Sequence, residues 1–191
     1  MRWEALFNDL LGQLDAAEQR TADLEIDELF RAELVSLKLM DRLRAALNTS
    51  VSIVLSADLR FSGELRVVGA DWLLLSTQRR SVLLPVGAIS HLEGLSHAAR
   101  PSTKALQYRF ASALRVLSQR RAGVHLLLGS AHGSPEAVQG VIDRVAADHC
   151  DISALRDGEF RREGSILGEK IVPFTAILAV SSLPVGDDGG L

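Results

Sequence analysis

Two stretches of this chain carry the same succession of apolar, glycine and proline positions, and that duplication constrains the fold more than any other feature. Val51, Ile53 and Leu55 alternate with polar or small neighbours, and Val124, Leu126 and Leu128 match them. Gly63, Leu65 and Val68 match Gly140, Ile142 and Val145. Ala70-Asp71-Trp72 matches Ala147-Asp148-His149, Leu84-Pro85 matches Val172-Pro173, and Ala88-Ile89 matches Ala176-Ile177. The offset between partners grows along the chain, which places one insertion near residues 132–138 and a longer one near 156–168. Both fall where hairpin loops belong and where extra length costs little.

Within the first stretch the period is two, the mark of strands. Residues 51–55 read as a half-buried strand and 61–68 as a second, with Gly63 inside it. Gly69-Ala70-Asp71 is a turn, and 72–75 is an apolar run short enough for a buried strand. Residues 81–86 and 89–92 add two more strands around Pro85 and Gly87. Five short strands this close together are the pattern of a small barrel. Ahead of the second stretch, Leu106, Phe110, Ala113, Leu114 and Leu117 mark a helix.

The N-terminal part has helical spacing instead. Trp3, Leu6, Phe7, Leu10, Leu14 and Ala17 share one face, although Gly12 weakens that helix by about 1 kcal/mol relative to alanine. A second helix is expected over about residues 23–47. Leu29, Ala32, Leu39, Met40, Leu43 and Leu47 form its main stripe, and Phe30, Leu34 and Leu37 form another pointing elsewhere. Two stripes imply contact with two bodies. One is the following β unit, and the other is the first helix or another subunit. Glu4, Asp9, Asp15, Glu18, Asp23, Glu25, Asp27 and Glu28 are set against only Arg2 and Arg20, so this arm is acidic and the rest of the chain mildly basic.

With 47% hydrophobic residues the 191-residue chain can bury a real core, and a net charge of −3 argues against a general nucleic-acid binder. Cys150 is the only cysteine, so no intramolecular disulfide forms and a reducing compartment is expected. No apolar run reaches the roughly 18 residues of a membrane span, and the first residues lead into an amphipathic segment rather than a signal peptide. The expected location is cytoplasmic, with no membrane partner.

Helix followed by five short strands, with a glycine in the second strand and an aspartate opening the third, resembles the Sm-like (LSm, Hfq-related) fold. The residues that carry the resemblance are Phe61-Ser62-Gly63-Glu64-Leu65, Val68-Gly69-Ala70-Asp71-Trp72-Leu73-Leu74-Leu75 and Leu83-Leu84-Pro85-Val86-Gly87-Ala88-Ile89. Gly140 to Ile152 carry it in the second copy. The layout is also similar to an actinobacterial type of tandem protein. The resemblance implies an α+β chain: N-terminal amphipathic helices, then two helix-plus-five-strand Sm-like or SH3-like barrels. The corresponding domains are an acidic arm (1–28), a first helix and barrel (29–100), a second helix and barrel (101–184) and a disordered tail (185–191). The third strand lacks the asparagine with which uridine-binding relatives read a base: Leu74 and Leu75 stand there, and Ile152 and Ser153 in the second copy. The architecture is implied, the RNA site is not.

Candidate chemistry is sparse. Asp148-His149-Cys150 is the one place where carboxylate, imidazole and thiol adjoin, but neighbours in a strand point to opposite faces. Cys150 matches Leu73 and reads as core. Gly164-Ser165-Ile166-Leu167-Gly168-Glu169-Lys170 fails the spacing of a phosphate loop and reads as a hairpin entering a strand. Arg79-Arg80 and Arg161-Arg162 lie in equivalent loops and are the candidate nucleic-acid contacts; Arg120-Arg121 is a third basic pair. Trp72 reads as a core plug, with an exposed stacking platform as the alternative. Trp3, Leu6, Phe7, Leu10, Leu14, Phe30, Leu34 and Leu37 are the candidate partner-helix face. No catalytic residue, metal or cofactor is expected. The expectation is a non-catalytic interaction or assembly module, self-associating or holding a protein partner through its N-terminal helices. The alternative is an Sm-like protein that binds RNA or another nucleic acid weakly.

Overall fold

The computed structural model describes residues 35, 37–56, 58–96, 98–99, 108–130, 134–155 and 166–183. The chain divides into two units, residues 1–38 and 39–191. The account below concerns the second. Trp3, Leu6, Phe7, Leu10, Leu14, Phe30 and Leu34, and with them the first expected helix and the second as far as residue 34, lie outside the described residues. Leu37 is described and is in neither helix nor strand.

Ten strands follow one another: β1 (Ser50–Leu55), β2 (Arg60–Val68), β3 (Trp72–Ser76), β4 (Ser81–Pro85), β5 (Ile89–Glu93), β6 (Gly123–Leu128), β7 (Glu136–Val145), β8 (His149–Leu155), β9 (Ile166–Pro173) and β10 (Ile177–Ser182). The helices bounded among the described residues are α1 (Leu39–Ala45) and α2 (Phe110–Gln119), with single 3-10 turns at Val86–Ala88 and Phe174–Ala176. All strands belong to one antiparallel sheet in the order β5-β1-β2-β3-β4-β10-β6-β7-β8-β9.

This corrects the expectation of a tandem Sm-like protein built from two closed barrels. The described residues form a single open ten-stranded sheet with two short helices, so they are mainly β rather than two α+β helix-plus-barrel units. The reason lies in the central strands. A strand of a small closed barrel buries one face and wets the other. Trp72-Leu73-Leu74-Leu75, Val82-Leu83-Leu84 and Ile177-Leu178-Ala179-Val180 are apolar at consecutive positions, so both faces need cover. Pairing β4 with β10, with Leu83 opposite Val180 and Val82 opposite Ser181, supplies it.

Two cores result, and neighbouring residues of β4 serve different ones. Val82 and Leu84 join Leu43 of α1, Ile53, Leu55, Leu65, Leu73 and Leu75, with Leu178 and Ala179 reaching in from β10. Leu83 joins Phe110 and Leu114 of α2, Leu126, Ile152 and Val180, together with Trp72. The expected tandem repeat of self-contained units is corrected on the same ground, because strands of both stretches line each core.

Locally, the strand registers of the two stretches coincide. Val51 lies opposite Gly63 and Val124 opposite Gly140. A Cβ on Gly63 would stand 2.5 Å from the Ser76 carbonyl oxygen, and one on Gly140 would stand 2.3 Å from that of Ser153. Glycine permits the close approach of two backbones at these points. The register shifts just beyond, between Leu65 and Val67 and between Ile142 and Arg144.

Of the expected second helix, Leu37 and Lys38 are not helical and α1 covers Leu39–Ala45. Of its main stripe Leu43 is buried, whereas Leu39 and Leu47 are exposed. The chain leaves α1 through Asn48 at φ 62°, a left-handed conformation that asparagine tolerates. The amide of Phe110, the first residue of α2, donates to Asp71 Oδ1 at 2.7 Å, so the β2–β3 turn fixes where that helix begins.

Candidate interaction edges

An open sheet ends in two strands whose outer backbone groups have no partner in the sheet. Among the described residues these are β5, bonded to β1 alone, and β9, bonded to β8 alone. Along β9 Leu167, Glu169, Lys170 and Ile171 are exposed, while Val172 is buried. Ile171 is 73% exposed, which is unusual for an isoleucine in the middle of a strand. Along β5 Ile89 and Leu92 are half-buried against the first core, and His91 and Glu93 are exposed.

Each edge carries charge. Both oxygens of Glu93 accept from the Arg60 guanidinium, and His91 Nε2 lies 3.8 Å from Oε1. Arg60 holds the Glu93 carboxyl below its ordinary range. On the far edge Lys170 Nζ is 2.7 Å from Glu136 Oε1. Both pairs are solvent-exposed, so water and salt weaken them and leave the charges free to exchange partners.

The residues singled out from sequence are not brought together. Arg79 and Arg80 are exposed in the β3–β4 turn, closed by the Thr77 amide donating to the Arg80 carbonyl at 3.0 Å. Arg80 Nη1 lies 3.5 Å from Ser181 Oγ across the β4–β10 seam. Arg161 and Arg162 lie outside the described residues, as does the rest of 156–165. Trp72 is 7% exposed and its Nε1 donates to the Tyr108 carbonyl at 2.8 Å, which makes it a core plug and no stacking platform. Cys150 is fully buried, and desolvation pushes its thiol up to about 11, so it is no nucleophile at neutral pH. His149 Nδ1 lies 2.7 Å from Asp148 Oδ1, and this bond holds the Asp148 carboxyl below its usual range. Among the described residues no three His, Cys, Asp or Glu side chains converge as metal ligands. No helix there is long and apolar enough to cross a membrane.

Two of the concavities among the described residues border these side chains. A cleft of 520 Å³ lies among Asp71, Arg109, Asp148 and Phe174, but Asp71 and Asp148 are committed to the Phe110 amide and to His149. An apolar groove of 390 Å³ runs between Trp72, Leu74, Tyr108, Val116 and Leu117. Sequence reading passed over Ile171, Leu92 and Glu93, and weighed Lys170 only as part of a phosphate loop. One signal was present: the match of Leu84-Pro85 with Val172-Pro173 already aligned exposed Ile171 with buried Leu83. Comparison with protein-family models, curated proteins and solved structures finds no match for this chain.

Proposed function

We propose that this chain is a non-catalytic interaction and assembly module that works through the open edges of its sheet. The observation that carries the reading is Ile171, a large apolar side chain exposed on an edge strand of the described sheet. An edge of this kind binds another polypeptide by strand addition, with main-chain bonds giving affinity and side chains giving register. The state of the titratable groups supports a structural rather than a catalytic role: the Cys150 thiol is held protonated, and Asp71 serves as a cap. Assembly through the amphipathic face of Trp3, Leu6, Phe7, Leu10 and Leu14 would add to this edge contact rather than replace it.

The test is lysine-directed cross-linking of the full chain, purified and in whole-cell extract. Lys170 is expected to link to another polypeptide chain, and the link should disappear in Ile171→Glu while the thermal midpoint is kept. Absence of any interchain link at Lys170 in both samples overturns the reading.

A further inference from the structure

We infer that the partner of the β9 edge is the β5 edge of a second copy of this chain, in a register that sets Ile171 opposite Leu92 and Lys170 opposite Glu93. The inference rests on the assembly reading above and names its partner.

The argument is geometric. The seam between β4 and β10 shows, inside one chain, how such edges join: Leu83 faces Val180 and Val82 faces Ser181. β9 sits on β8 as β4 sits on β3. Leu74 pairs with Leu83 and Asp151 with Ile171; Leu75 pairs with Val82 and Ile152 with Lys170; Trp72 pairs with Pro85 and His149 with Pro173. β5 likewise sits on β1 as β10 sits on β6. Ile53 pairs with Leu92 and Leu126 with Val180; Ser52 pairs with Glu93 and His125 with Ser181. The register even shifts at corresponding places, between Val54 and Leu55 and between Ile177 and Ala179. Among the described residues the sheet therefore ends in two counterparts of the internal seam that pair with no further strand. Setting one copy's β9 against another's β5 in the seam's register brings Ile171 to Leu92 and Lys170 to Glu93.

The side chains at those positions agree with it. Leu83, covered by the seam, is 6% exposed, whereas Ile171 in the corresponding place is 73% exposed. Leu83 closes the core built around Leu126 and Val180, and Ile171 would close the core that Leu92 and Ile53 border. Lys170 and Glu93 have opposite charge, so residues that would otherwise blunt an edge select this one. His91 stands where the seam has Ala179, so the intermolecular contact is more polar than the internal one and reversible. Each copy would use one edge to hold the next, a head-to-tail contact that closes into a ring or runs on as a filament.

The experiment is light scattering of the purified full chain over a range of concentration, at low and moderate salt, with three variants. Wild-type protein is expected to gain mass above the monomer as concentration rises, less so at higher salt. Ile171→Arg should weaken this by at least about tenfold, the effect of ~1.4 kcal/mol, without lowering the thermal midpoint. Lys170→Glu and Glu93→Lys should each associate weakly alone and regain association when mixed, because only the mixture opposes unlike charges across every seam. A wild-type chain that stays monomeric overturns the inference, and so does association indifferent to all three variants. If that monomer still cross-links through Lys170 to a different polypeptide, the assembly reading stands and only the self-pairing falls.

Discussion

Leu83 and Val180 lie opposite each other across the β4–β10 seam, 6% and 2% exposed, in a core that also contains Trp72 and Leu126. Neither strand could bury both of its faces without the other. The seam is thus a condition of folding rather than a contact between finished bodies.

It follows that residues 39–191 unfold in one cooperative step, since β4 and β10 each contribute to both cores. Leu83→Ala should cost about 2–5 kcal/mol, the range for emptying a sealed leucine site. Ile171→Ala, at the corresponding exposed place on β9, should stay within about 0.5 kcal/mol in dilute protein. Urea titration followed by fluorescence and by far-ultraviolet circular dichroism checks both. Two separated transitions, or equal losses from the two variants, would contradict the seam.

The two strand glycines give a second test. Gly63→Ala and Gly140→Ala drive a methyl group into backbone oxygens at 2.5 and 2.3 Å, which the sheet can relieve only by opening a strand pair. Each should destabilise by about 1–3 kcal/mol, as overpacking does. Gly87→Ala is the control, because nothing lies within 4 Å of the added carbon. Thermal unfolding of the three variants should rank Gly87→Ala well above the other two.

Local pattern and long-range pairing were not equally legible in the sequence. Val51, Ile53 and Leu55, which share one face of a strand, are buried in β1 as their spacing predicts, and Val54 between them is buried as well. The turn at Gly69-Ala70-Asp71 and the glycine of β2 were legible for the same reason. Which strands join was not. The run Trp72 to Leu75 shows that both faces of β3 need cover, yet nothing in it says that the cover comes from residues around 177–180. The edges were legible least of all. In an isolated strand Ile171 reads as core, and only the sheet order shows that β9 is an edge among the described residues.

The arginine pair of the β3–β4 turn leads to an expectation for nucleic acid. Arg79 and Arg80 are exposed, but Trp72 is sealed and bonded to Tyr108, so no aromatic face accompanies them. Titration with oligo-uridine and with a scrambled oligomer at about 150 mM salt should give similar, weak binding, no tighter than about 10⁻⁶ M for contact with phosphates alone. Arg79→Ala together with Arg80→Ala should remove it. Tight binding that distinguishes the two oligomers would displace the assembly reading.

Cys150 makes the last prediction, through pH. Its thiol is buried among the apolar residues of β8 and its neighbours, and burial lifts its titration from 9.0 to about 11. The fold therefore binds this proton more tightly than the unfolded chain does. Below 9 the thiol is neutral in both states and adds no pH dependence. Between 9 and 11 the unfolded chain releases the proton while the folded one keeps it, so stability falls as pH rises through that window. Cys150→Ala removes this slope and should lose some stability at pH 7, where only the packing of the sulfur is missing. Urea midpoints of both proteins at pH 7, 9 and 10 check it: wild type should fall more steeply than Cys150→Ala above 9. The same burial predicts that a thiol reagent labels Cys150 at pH 8 only as fast as the protein opens, and labelling that is rapid in native buffer would show the thiol to be accessible after all.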